Sequence, residues 1–303
     1  MKSKSVIAAM LISSVLLASC TKKPDTAVTE METEIQRIEM SVDGGNSFDR
    51  LPYCENINYE ISRPDVAKAA GTTQEVVFYR DGNPIYAKIT HPRGMGPFKT
   101  IVFSNGLYAP LGRYSNKAQD FCEYGYAVVE FNFQNNFPPE DYSDPEYLGD
   151  FIFEQVSDLC AVLDSLSYFQ YIDTSNVYLY GHSMGGLVAS YVGTYRQRDV
   201  SGLILVDPSF YAVDIMSFEG GQTITTDIYP LISECNLPVV IITGTAGSFG
   251  EDPHFFDDAR AAFPDCEYVV IDGATHIFEG EASRPVVDTA VEMIDKWEKR
   301  NEG

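Results

Sequence analysis

The stretch Gly181-His182-Ser183-Met184-Gly185-Gly186 does most to limit what this chain can fold into. It follows the apolar run Val177–Tyr180 and precedes a helical pattern that begins at Met184. A serine framed by glycines at such a junction marks a sharp turn from a buried strand into a helix, with the hydroxyl exposed at its apex. Gly181 and Gly185 lack a Cβ, which lets the turn close and the helix approach the strand. The helix also aims its N-terminus at the turn, so negative charge forming beside Ser183 is favoured.

The chain around this turn keeps the same alternation. Thr100–Ser104, Tyr126–Phe133, Leu203–Val206, Val239–Thr243 and Tyr268–Ile271 are short, nearly all-apolar runs. Helical patterns separate them: Ser115–Tyr124, closing at Gly125; the stripe Leu148, Ile152, Val156, Leu159, Leu163 and Leu166; Asp257–Phe263; and Pro285–Lys299. Strands apolar on both faces, alternating with amphipathic helices, predict an α/β fold with a mostly parallel central sheet covered on both sides. Ahead of them Asn56–Ser62, Glu75–Arg80 and Ile85–Thr90 read as antiparallel strands. The last two are joined by the turn Asp81-Gly82-Asn83-Pro84, a hairpin signal. In such sheets ligands bind at the carboxyl ends of the strands.

The first twenty residues belong to export rather than to the fold. Lys2 and Lys4 precede the apolar stretch Val6–Leu17, which is too short to span a membrane and suits a signal peptide. It ends in Leu17-Ala18-Ser19-Cys20, which resembles the bacterial lipobox, where the cysteine becomes the lipidated first residue after cleavage. The expectation is an exported protein anchored through Cys20 to a bacterial membrane, on the periplasmic side or the cell surface. Residues 21–45, rich in Thr, Glu, Lys and Asp, read as a flexible tether, and 46–303 as a single domain. A formal net charge of −23 argues against nucleic acid as a partner, and leaves the lipid as the membrane contact. The other cysteines, Cys54, Cys122, Cys160, Cys235 and Cys266, are odd in number and widely spaced, with no CxxC. They support neither a dense disulfide framework nor a zinc site.

A serine attacks well only when a base takes its proton. The chain has four histidines. His182 lies inside the turn and cannot swing onto its neighbour's hydroxyl, and His91 precedes Pro92 among the N-terminal strands. His254 and His276 remain. His276 closes Asp272-Gly273-Ala274-Thr275-His276, directly after Tyr268–Ile271, and is the expected base. A carboxylate should orient it. The place to look is the segment 244–253 after Val239–Thr243, where Asp252 is the first choice; Glu251 and Asp207, the latter after Leu203–Val206, are the alternatives. Two backbone N–H groups should hold an oxyanion: those of Met184 and of Leu107 in the loop Asn105-Gly106-Leu107-Tyr108. Tyr108, Phe210 and Tyr211 are candidates to line a pocket. The short insertion 210–236 implies a small cap or none, and the irregular stretch Phe137–Pro145 is expected to border the mouth of the site.

Together these residues resemble the α/β-hydrolase superfamily over about residues 75–300, and within it the dienelactone-hydrolase, cutinase and cinnamoyl-esterase-like branch. The matching stretches are Ile101–Leu107, the serine turn, Leu203–Pro208 and Ile271–His276. The resemblance implies a triad of Ser183, a carboxylate after Val239–Thr243, and His276. The triad chemistry implies cleavage of carboxylic esters through an acyl-enzyme without metal or organic cofactor. Tyr108 and Phe210-Tyr211 point to small acyl or aromatic acids, and the small cap to soluble or polymer-borne esters. A peptidase, amidase or thioesterase on the same fold is the alternative, as is an inactive ligand-binding lipoprotein. Two features depart from the family pattern: Asn105 stands where many relatives have histidine, and the turn expected to carry the acid is long and glycine-rich.

Overall fold

The computed structural model describes residues 59–135, 145–210 and 228–301. The signal peptide with Cys20, the tether, Tyr211, most of the insertion 210–236 and residues 137–144 lie outside them. The chain divides into two compact units. One comprises Tyr59–Phe137, Ile152–Ala212 and Asp227–Gly303, and it contains the whole sheet. Of the other (Met1–Asn58, Pro138–Phe151 and Val213–Thr226), residues 145–151 are described, as the opening turns of a helix.

Nine strands form one sheet: β1 (Asp65–Ala70), β2 (Thr73–Arg80), β3 (Asn83–Thr90), β4 (Phe98–Ser104), β5 (Ala127–Phe131), β6 (Ile172–His182), β7 (Gly202–Val206), β8 (Val239–Gly244) and β9 (Cys266–Ile271). Their order is β1-β2-β3-β5-β4-β6-β7-β8-β9. The pairs β1–β2, β2–β3 and β3–β5 are antiparallel, and all the others are parallel. The expected α/β architecture with antiparallel N-terminal strands is therefore observed. Every residue of β5, β7 and β8 is buried, as continuous apolar runs require when helices cover both faces.

Two sequence expectations at the N-terminal edge have different outcomes. Arg80 pairs with Asn83, leaving Asp81 and Gly82 as a two-residue loop with φ of 53° and 75°. Positive φ at both positions matches the right-handed twist of the strands, which is why Asp-Gly occurs there. The expected strand Asn56–Ser62 is corrected. Its described part, from residue 59, contributes one isolated bridge, Ile61 to Arg80. The edge is formed by β1 instead, whose sequence DVAKAA is exposed at every position and so carries no alternation to read.

Six helices complete the described fold: α1 (Ser115–Glu123), α2 (Pro145–Ser165), α3 (Met184–Tyr195), α4 (Tyr229–Ile232), α5 (Asp257–Ala262) and α6 (Ser283–Asn301). On one face, Phe121 of α1 and Ala290, Ile294 and Trp297 of α6 share a core with Phe103, Tyr180, Ile204 and Ile242. Arg284 ties the two helices together through Asp120 and Glu123. Elsewhere α3 lies tight on β7, and Phe153 of α2 sets its ring edge against Tyr191 of α3 at 5.7 Å. The parallel order brings the carboxyl ends of β4, β6, β7 and β8 side by side, and the candidate residues stand there.

Candidate active site

Ser183 sits between β6 and α3 with φ 54° and ψ −125°, a conformation that costs a non-glycine residue free energy and persists only where its surroundings hold it. They do. Its N–H donates to Val206 O at 3.1 Å, and its carbonyl accepts from Gly186 N and Ser209 N, both at 2.9 Å. A Cβ on Gly181 would meet Gly185 O at 2.6 Å, so only glycine allows the turn to close.

His276 follows β9 and reaches across to this turn. Its Nε2 lies 3.0 Å from Ser183 Oγ, and its Nδ1 lies 2.5 Å from Oδ2 of Asp207. A carboxylate only accepts, so Nδ1 carries the proton and Nε2 is left to accept from the serine hydroxyl. The Phe249 ring lies 4.9 Å from the imidazole and stacks on Phe255, giving the His276 ring an apolar flank.

The carboxylate at the imidazole is Asp207, which corrects the expectation of Asp252. Asp207 directly follows β7, is fully buried and also adopts a positive φ of 44°. Its Oδ1 accepts from Thr243 Oγ1 at 2.5 Å and Ser248 Oγ at 2.8 Å, and its Oδ2 also accepts from Phe249 N at 3.1 Å. Burial pushes this carboxyl up. The hydrogen bond and charge of His276, with the two hydroxyls, outweigh that and hold it below the usual aspartate range. The loop after β8 thus supplies donors to the carboxylate rather than the carboxylate itself. Within that loop Asp252 Oδ1 accepts from His254 N at 3.0 Å, and Glu251 Oε1 accepts from Gly247 N at 2.6 Å. Both are turn-forming side chains. His254 is exposed and pairs with Asp257, and His91 leans on Pro92 and Tyr171; neither joins the site.

Met184 opens α3 directly after Ser183, so its N–H has no acceptor within the helix. The loop carrying Leu107 passes close by: a Cβ on Gly106 would lie 3.2 Å from Ser183 Cβ. Tyr108, next in that loop, is half-exposed with φ 60°. Phe210 is 4% exposed and packs against Phe256 and Phe263, so it is a core side chain rather than a pocket wall. Residues the sequence reading did not single out also meet here. Ser209 Oγ lies 3.3 Å from Ser183 Oγ, and Tyr114 Oη lies 2.7 Å from Nδ1 of His182.

Lys117, one turn after Tyr114, is 3% exposed and holds its ammonium 5.3 Å from the Tyr114 ring centroid. Burial lowers its pKa from 10.5 to about 8, with Glu279 opposing and Arg113 adding to the shift. Between those two values the unfolded chain binds the extra proton, so stability should rise as pH increases from 8 towards 10.5. Lys117→Met should remove that rise and stabilise the protein at pH 7 by about 1–3 kcal/mol. Urea unfolding of both proteins at pH 7 and 9.5 measures it; equal pH slopes would refute the assignment.

The hydrolase family model described as serine aminopeptidase, S33, matches residues 96–225, a span that includes the serine turn and Asp207 and stops before His276. No curated protein matches the sequence. Solved structures do resemble the fold. Est1E from Butyrivibrio proteoclasticus superposes with a TM-score of 0.57 at 16% identity, over 73% of this chain and 99% of that one. Its complex with ferulic acid matches as well. A dienelactone hydrolase from Anabaena variabilis gives 0.54 at 19% identity, over 75% and 99%. Proline iminopeptidase from Mycobacterium smegmatis gives 0.51 at 13%, over 72% and 96%. The shared architecture is the α/β-hydrolase fold.

Proposed function

We propose that this chain is a serine hydrolase that cleaves carboxylic esters through an acyl-enzyme on Ser183. The observation that carries the reading is the single imidazole of His276 lying within hydrogen-bond reach of both Ser183 Oγ and the buried Asp207 carboxylate. His276 Nε2 takes the Ser183 proton as Oγ attacks the ester carbonyl. The imidazolium so formed is stabilised by Asp207. The oxyanion rests on the N–H groups of Met184 and Leu107. His276 then returns the proton to the departing alcohol, leaving the acyl group on Ser183. Water, deprotonated by the same nitrogen, releases the acid and restores the serine.

Small acyl or aromatic-acid esters are the proposed substrates. The likeness to Est1E, whose structure is known with ferulic acid, supports that choice. Peptide-bond cleavage is the second reading, favoured by the family model's description as a serine aminopeptidase. The enzyme would work outside the cell membrane, anchored by lipid on Cys20; Cys20→Ser should release it from the membrane fraction. The functional test is a fluorophosphonate label, with p-nitrophenyl esters of graded chain length, methyl ferulate, and aminoacyl p-nitroanilides including that of proline as substrates. Ester turnover with label on Ser183, both lost in Ser183→Ala, supports the ester reading. Turnover of anilides alone transfers the assignment to a peptidase. Neither label nor turnover leaves a ligand-binding lipoprotein.

A further inference from the structure

We infer that Tyr114 and His182 form a positioning bridge that locks the oxyanion loop and the loop of the general base to each other across the nucleophile turn. The inference deepens the proposed function and rests on it for its kinetic consequence. Nε2 of His182 lies 2.6 Å from the backbone carbonyl of His276. A carbonyl only accepts, so that nitrogen carries the proton and donates. Nδ1 is then a bare acceptor, and it takes the hydroxyl hydrogen of Tyr114 at 2.7 Å. The backbone N–H of Gly106, which precedes Leu107, also acts on the Tyr114 oxygen, opposing the rise in its pKa that burial causes. The two hydrogen bonds run in one direction, from Tyr114 O–H through His182 N–H to the His276 carbonyl. Aligned hydrogen bonds of this kind polarise one another.

The surroundings hold the bridge in that state. His182 is 4% exposed and Tyr114 is 4% exposed. Burial, then the neighbouring His276, lowers the pKa of His182 to about 3, so the ring is neutral wherever the enzyme would work. A neutral ring 4.9 Å from the catalytic imidazole avoids like-charge repulsion when His276 becomes an imidazolium. His276 is thereby fixed at two points, its ring by Asp207 and its backbone by His182. Gly106 packs on the other side of the His182 ring, where a Cβ on it would lie 3.0 Å from His182 Nδ1. The distance between the oxyanion donors and the base is set by side chains that touch no substrate.

The test compares Tyr114→Phe, His182→Gln and His182→Ala with the wild type in the purified full chain. Tyr114→Phe should lower kcat about tenfold to a hundredfold, the scale of a misplaced catalytic group, with KM within about threefold. Affinity for a boronic acid that mimics the tetrahedral state should fall by the same factor. His182→Gln keeps a donor for the His276 carbonyl and should retain more activity than His182→Ala. Unchanged kcat with only a lowered Tm would overturn the bridge and leave a packing role. Wild-type turnover lost in Ser183→Ala checks the underlying reading separately. Should the wild type prove inactive, NMR still decides the bridge. The His182 ring should show the Nε2–H tautomer, and Tyr114→Phe should shift the Gly106 amide and His276 resonances. If neither resonance moves, there is no bridge.

Discussion

Asp207→Asn should lower kcat/KM for an ester about 10⁴-fold, whereas Asp252→Asn should leave it within about threefold. The asymmetry follows from what each carboxylate touches. Asp207 accepts the Nδ1 proton of His276 at 2.5 Å and is fully buried. Its remaining acceptor positions are filled by Thr243, Ser248 and Phe249. An amide there keeps the shape, but it has only one acceptor oxygen. Oδ1 is already committed to two hydroxyls, so the amide nitrogen falls at Oδ2 and donates to Nδ1. That forces the proton onto Nε2, where it blocks acceptance from Ser183. It also leaves the developing imidazolium without its counter-charge. Asp252 accepts a backbone N–H two residues on, and an asparagine accepts it equally well. Thermal unfolding should accompany the kinetics, because losing the Phe249 N–H partner costs Asp207→Asn some stability. An Asp252→Asn enzyme as impaired as Asp207→Asn would remove the assignment of the acid.

This contrast also marks where the sequence stops being legible. Ser183 and His276 can be read locally, because each lies in the short segment that follows an apolar run and its proposed role depends on being at a strand's carboxyl end. The acid cannot be read that way. β7 and β8 both neighbour each other and both end near the imidazole, so chain order permits a carboxylate after either. The choice is made by the loop after β8, which folds back so that Ser248 Oγ bonds both Gly244 N and the Asp207 carboxylate. That contact links residues far apart in sequence and leaves no local trace. One sign was available: Asp207 is the first charged residue after five apolar positions and therefore enters the core edge with them. His182 shows the same limit from the other side. Its place in the turn excludes it as a base, but its partners Tyr114 and His276 come from other elements. The strand β1 was illegible for a simpler reason, since an exposed edge imposes no hydrophobic period on its residues.

Gly185→Ala should destabilise the protein by about 3 kcal/mol or more and lower Tm by roughly 6–12 °C. Local propensity argues the opposite. Gly185 is the second residue of α3, and alanine in a helix interior is favoured over glycine by about 1 kcal/mol. Sterics decide against it. A Cβ at this position would stand 2.0 Å from Ser104 O and 2.5 Å from Asn105 O. Both are backbone atoms at the end of β4, which is paired along its length with β5 and β6, so neither can rotate away. Relief requires moving α3 or the root of the loop that holds Gly106 and Leu107. Either shift changes the spacing between the Met184 and Leu107 N–H groups. Activity should therefore fall about a hundredfold even well below the lowered Tm, the scale of losing one oxyanion donor. Calorimetry and ester kinetics at low temperature separate the two effects. A variant that is more stable than wild type would show that helix propensity wins and that the close approach of α3 to β4 is not what the second glycine of the turn is for.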